Sequence, residues 1–101
     1  LSTAEEVLPK EIRILGNYPN PFNPFTNILF SLDRDTDIDL KVFDSKGRLI
    51  NVLSSGNKSA GSHSVFWDGT NQKGITVPTG VYFYRFESNQ QCLSGKMMFL
   101  K

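Results

Sequence analysis

From Ile28 to the last lysine, apolar residues recur at every second position, the spacing of a strand that buries one face. In "NILFSL" that period puts Ile28, Phe30 and Leu32 on one side. In "DIDLKVF" it turns Ile38, Leu40 and Val42 inward, with Asp37, Asp39 and Lys41 toward water. "SKG" (Ser45 to Gly47) is a turn into "RLINVL", and Gly47 supplies the positive φ of a tight reversal. "SSGNKSAG" reads as a loop and "SHSVFW" as the next strand, with His63, Val65 and Trp67 sharing a face. After the turn-rich excursion "DGTNQKGITVPTG" come the strand "VYFYRFES", the turn "NQQ" and a last strand ending in "KMMFLK". In "VYFYRF", Tyr82, Tyr84 and Phe86 face inward, because burying Arg85 would demand a partner charge. The pattern is about seven short strands with turn signals roughly every 8–12 residues and no helical period. It predicts an all-β antiparallel sandwich with Trp67 as its core plug.

The strand region follows "NYPNPFNPFTNI", where Pro19, Pro21 and Pro24 exclude both helix and inner strand. Each proline drives the residue before it toward extended backbone, and the asparagines close small side-chain turns. The expected result is a stiff strip anchored by Tyr18, Phe22 and Phe25, covering a sheet edge that could otherwise recruit another chain. Residues 1–16 read as a linker with "EIRIL" as a candidate edge strand, and residues 17–101 as the domain.

A chain of 101 residues suffices for one domain with one core. Its formal charge of +1, from 11 basic and 10 acidic residues without a basic stripe, argues against nucleic-acid binding. No apolar run is long enough to span a bilayer. The chain opens "LSTAEE" without Met, so it is expected to be part of a longer polypeptide. The single cysteine, Cys92, leaves no internal disulfide to form.

Chemistry finds little purchase, and the reading is of a non-enzyme without cofactor or metal. His63, the only histidine, lies between two serines on a strand, and "QQCLSG" supplies nothing to activate Cys92 beside it. "DRDTDID" sets Asp33, Asp35, Asp37 and Asp39 at alternate positions, which raises calcium. The EF-hand register fails, however, with Ile38 at the sixth place and Asp44 at the twelfth, so a solvated turn into a strand is expected. "WDGTNQKG" is read as a hairpin loop, in which Gly69 and Gly74 accept positive φ. A carbohydrate platform of Phe66, Phe83 and Tyr84 requires them to share an exposed face.

"NYPNPFNPFTNILFSL", "LKVFDSKGRLINVL", "AGSHSVFWDGTNQKG", "TGVYFYRF" and "KMMFLK", in this order, resemble one family from about Asn17 to Lys101. It is the Ig-like module of flagellar hook-capping proteins, in the version found as the type IX secretion C-terminal sorting domain. The resemblance implies an Ig-like sandwich at the end of a large exported protein, carried through the outer membrane of Bacteroidetes-like bacteria. Its implied partners are the secretion machinery, a sortase-like peptidase that commonly removes the domain, and an upstream cargo domain in the same polypeptide. The implied location is secreted or at the outer-membrane cell surface, reached through the periplasm. By position, the family's sorting features fall on Gly61, His63, Gly80 and Tyr82, and on Lys96, Met97, Met98, Phe99, Leu100 and Lys101. A last strand flanked by Lys96 and Lys101 could be read by edge pairing or by its charges. Two other readings stand beside this one: an accessory carbohydrate- or cell-wall-binding module of a secreted enzyme, and a structural Ig-like spacer or assembly domain.

Overall fold

Alternation becomes architecture most plainly in strand β3 (Thr36–Asp44), where Ile38, Leu40 and Val42 are buried and the residues between them are not. The computed structural model describes residues 12–101. The other strands are β1 (Ile12–Tyr18), β2 (Thr26–Leu32), β4 (Leu49–Lys58), β5 (Gly61–Trp67), β6 (Gly80–Glu87) and β7 (Cys92–Phe99). They form a three-stranded sheet, β1-β2-β5, and a four-stranded sheet, β4-β3-β6-β7, with every strand pair antiparallel. Seven antiparallel strands in two sheets, without a helix among the described residues, are an Ig-like β-sandwich.

Between the sheets, aromatic rings meet within a core that also buries Ile28, Leu40 and Val42. Phe30 of β2 meets Phe86 of β6 across the core at 4.7 Å between ring centroids. Trp67 is buried as expected, edge-on to Tyr82 at 5.6 Å, and its Nε1–H donates to Thr70 O at 2.9 Å. Tyr82, Tyr84 and Phe86 all face the core, and Arg85 stays on the outside. Among the described residues no helix is long and apolar enough to cross a membrane.

The Ser45–Gly47 turn forms as read. Gly47 has φ of 83° and donates to Asp44 O at 3.0 Å, and the Asp44 carboxylate accepts the N–H groups of Lys46 and Arg48.

Three expectations give way. "SSGNKSAG" is not a loop: β4 continues through Lys58, and Ser59 and Ala60 alone join it to β5. β4 is an edge strand with polar groups on both faces, so it carries no alternation. Its pairing is marked instead by side chains across the ladder, Ser55 donating to Asp39 and Asn57 to Asp37. Second, "WDGTNQKG" does not join two paired strands, since β5 and β6 lie in different sheets. It crosses the sandwich, closing only a miniature hairpin at Thr70 and Thr76. Third, of the three aromatics of the proline strip only Phe22 enters the core. Phe22 is 1% exposed, whereas Tyr18 is 62% and Phe25 42% exposed on the outside.

β1 pairs with β2 as an edge strand and starts at Ile12, running across the expected boundary at residues 16 and 17. Residues 1–11, the rest of the expected linker, lie outside the described residues.

Candidate functional site

The proline strip is the loop of the β1–β2 hairpin, yet its middle reaches the opposite sheet. Phe22 N–H donates to Met98 O at 2.9 Å, and Leu100 N–H donates to Phe22 O at 3.1 Å. Phe22 thereby pairs in parallel with Phe99 on the outer edge of β7. Two residues earlier, Asn20 uses its side chain as a peptide group. Its Oδ1 accepts Met98 N–H at 3.1 Å, and its Nδ2 reaches Lys96 O at 3.5 Å. The strip therefore occupies the ladder positions that a foreign strand would take along the second half of β7.

Buried polar groups hold the strip in this shape. Thr26 Oγ1 donates to Pro19 O at 2.8 Å, and Asn17 Nδ2 donates to Thr26 Oγ1 at 3.2 Å. Asn20 Nδ2 lies 3.3 Å from Asn17 Oδ1, completing a chain in which Asn17 and Thr26 are both buried and both bonded.

Behind the strip, residues from four separate motifs close one end of the core. The Phe22 ring stacks on Phe99 at 4.8 Å and tilts against Trp67 at 5.4 Å. Gly69 is buried with φ of 77°, and a Cβ there would stand 3.0 Å from the Phe99 ring. Val77 N–H donates to Gly69 O at 2.8 Å, folding the crossing loop over the same end. Tyr82 OH donates to Pro78 O at 2.6 Å, four residues upstream, in the manner of a tyrosine corner. Burial, then the negative charge of Asp44, raises the Tyr82 phenol above its usual value.

The expected sorting residues do not form one cluster. Gly80 begins β6 opposite Phe99, and Tyr82 and Phe99 belong to this closed end. Gly61 and His63 lie toward the other end of β5, Gly61 about 20 Å from Trp67 at the rise of a strand. Gly61 does carry a positive φ of 119°, but Gly80 does not, and a Cβ on Gly80 meets nothing within 4 Å. His63 is half-buried, stacked on Phe30 at 5.2 Å, with Nε2 2.7 Å from Ser59 O.

Along the tail, Met97 and Phe99 are core side chains, while Lys96, Met98, Leu100 and Lys101 are exposed. Asn20 and Phe22 hold the outer edge of this strand from the Lys96 carbonyl to Leu100. What sequence reading missed here is Asn20. Its flanking prolines marked an unusual backbone, but nothing in them named a partner 78 residues away.

Other candidate sites resolve into structure. Phe66 lies on β5 and Phe83 on β6, in different sheets, and Tyr84 is buried, so the sugar platform does not exist as drawn. Cys92 and His63 are likewise in different sheets. Asp35, Asp37 and Asp39 accept hydrogen bonds from Ala60, Asn57 and Ser55, and Asp33 lies 3.6 Å from Arg13 Nε. No group of three or more metal-ligating side chains occurs among the described residues.

The same fold occurs in larger proteins. PorU from Porphyromonas gingivalis, crystallised as a latent dimer, superposes with a TM-score of 0.73 at 21% identity over 93% of this chain and 10% of its own. FlgD from P. aeruginosa gives 0.58 at 24% identity, over 73% of this chain and 58% of its own. PorZ, an essential bacterial surface component of the type IX secretion system of P. gingivalis, gives 0.56 at 18% identity, over 89% and 11%. This chain thus spans about a tenth of PorU and PorZ and little more than half of FlgD. No curated protein matches it. The sequence model described as the FlgD Ig-like domain matches residues 26–91, well over half of the chain. That segment contains β2 to β6 and the whole crossing loop, and the protein belongs to the FlgD Ig-like domain family.

Proposed function

We propose that this chain is a non-catalytic C-terminal module that directs an exported multidomain protein through type IX secretion to the cell surface. One observation carries the reading: the final strand is anchored and displayed at once. Met97 and Phe99 fix it in the core, and the Asn20–Phe22 strip clamps its edge. Lys96, Met98, Leu100 and Lys101 remain exposed around it. A receptor that must recognise a folded label needs such side chains held on a rigid support. The likeness in fold to parts of PorU and PorZ supports it, PorZ being the one described as a component of that system. Under this reading the partners are the secretion machinery, a sortase-like peptidase and an upstream cargo domain.

The test fuses residues 1–101 to a fluorescent reporter in a type IX-competent bacterium. Deleting the tail would remove Met97 and Phe99 and unfold the module, so the informative variant changes outward side chains only. Lys96→Glu, Met98→Ser, Leu100→Ser and Lys101→Glu together should leave a folded domain that accumulates in the periplasm. Surface delivery equal to that of the unaltered fusion would overturn the reading.

A structural assembly module is the second reading, favoured by the family match and by the share of FlgD that this fold occupies. It predicts that the four tail substitutions leave delivery unchanged.

A further inference from the structure

The outer face of the four-stranded sheet holds an arrangement that the core does not use. Phe43 on β3 and Phe83 on β6 are cross-strand partners, and Lys96 on β7 continues their row. Lys41, Arg85 and Ser94 form the next row. Phe43, Phe83, Arg85, Ser45 and Ser94 line a hollow of about 270 Å³ between the rows and the Ser45–Gly47 turn.

Arg85 is held in the hollow from two sides. Its guanidinium carbon lies 4.1 Å from the centroid of the Phe43 ring. Its Nε lies 2.7 Å from Glu87 Oε2, a charge contact out of hydrogen-bonding alignment. Glu87 Oε1 receives Lys41 Nζ at 3.0 Å, so both oxygens of that carboxylate are engaged. Asp44, the carboxylate at the hollow's other rim, is closed by the N–H groups of Lys46 and Arg48 and by Arg48 Nε. Among the described residues, Lys96 has no ion pair and the Nη groups of Arg85 make no hydrogen bond. Phe83, 36% exposed, lies between these two cations.

Among the described residues, no hydrogen bond closes the neighbouring backbone edge, although β1 packs nearby, with Ile12 N–H on Gln91 Oε1 at 2.8 Å. Asn20 and Phe22 cover β7 from the Lys96 carbonyl to Leu100, and the alternation of the ladder turns the backbone groups of Ser94 and Cys92 outward beyond that clamp. A half-edge that no described residue pairs with, next to a cationic, aromatic-floored hollow, is suited to strand addition with side-chain readout.

We propose that this hollow and the uncovered half of the β7 edge form a docking site for an extended acidic peptide. Its backbone pairs at Ser94, a carboxylate meets the guanidinium of Arg85 with Lys96 beside it, and an apolar side chain two residues along rests on Phe83. A guanidinium presents paired donors that match a carboxylate. With Asp44 and Glu87 at its rims, the hollow favours a singly charged carboxylate over a phosphate dianion. Lys96 serves in both readings, but Arg85 and Phe83 take no part in the export reading, so Arg85→Gln, which should weaken peptide binding and keep delivery, tells the two apart.

The experiment titrates the full 101-residue chain into the fluorescein-labelled hexapeptide Thr-Glu-Thr-Val-Thr-Glu, whose glutamate and valine two residues apart share one face of an extended strand, followed by anisotropy. Saturable binding is expected, weakened about tenfold by Arg85→Gln, the loss of one charge-assisted contact. Lys96→Gln alters no packed side chain and should weaken binding several-fold, which keeps the test sound even where Arg85→Gln loosens the sheet. Amide shifts on binding should centre on Phe83, Arg85, Ser94 and Lys96. Equal affinity for the peptide with glutamine in place of glutamate would overturn the proposal. So would displacement by inorganic phosphate or anionic-lipid vesicles at lower concentration than the peptide itself, or amide shifts on the three-stranded sheet.

Discussion

Phe22 and Phe99 stack with 4.8 Å between ring centroids and 11° between planes, while their backbones pair as neighbours in a ladder. A side-chain contact and a main-chain contact thus join the hairpin loop of one sheet to the edge strand of the other. Removing the Phe22 ring leaves a cavity bounded by Phe99 and Trp67. Phe22→Ala should cost about 3–5 kcal/mol in urea unfolding. Phe25→Ala, on the same strip but with its ring outside against Phe66, should cost about 1 kcal/mol or less. Equal losses would show that the strip does not clamp through Phe22.

Gly95 pairs with Tyr84, and a Cβ at that position would fall inside the envelope of the Tyr84 phenol ring. The ring lies where another residue would place a side chain. Gly95→Ala should destabilise by about 1–3 kcal/mol, the range for overpacking. The penalty should shrink in a Tyr84→Ala background, because the two sites share one contact. Thermal unfolding of the four-member cycle measures this, and additive losses would contradict it.

Glu87 is held below its ordinary value of 4.5, first by the hydrogen bond from Lys41, which burial opposes, and then by the charges of Arg85 and Lys41. A carboxyl depressed in the folded state adds stability above its unfolded value and loses it as pH falls through the folded one. Glu87→Gln should therefore be less stable than the parent at pH 7, and the gap should close below about pH 4. A gap independent of pH would assign the loss to packing.

Tyr82 behaves with the opposite sign. Burial, followed by the nearby Asp44 charge, raises its phenol above 10.0, so the folded state keeps that proton longer than the unfolded chain. Stability contributed by Tyr82 is complete below pH 10 and declines above it. Tyr82→Phe should cost about 0.5–1.5 kcal/mol at neutral pH through loss of the bond to Pro78 O. It should also flatten part of the alkaline decline, as read by denaturant midpoints between pH 8 and 11.

Much of this molecule is legible in its alternation. Ile28, Phe30 and Leu32, Ile38, Leu40 and Val42, and Tyr82, Tyr84 and Phe86 are all buried on the side that a period of two assigns them. Burial of one sheet face is a local property of each strand, so spacing alone reports it. β4 escaped notice past Leu53 because an edge strand wet on both faces has no apolar rhythm to read. Local pattern fixed most of the strands, the Gly47 turn, the Trp67 plug and the inward aromatic face of β6. Folding in three dimensions settled which strands share a sheet, that Asn20 serves as a backbone surrogate for β7, and that Arg85 sits between Phe43 and Glu87. Asn20 meets Met98 from 78 residues away and Arg85 meets Phe43 from another strand, and the energy of such contacts depends on distances that no local pattern encodes.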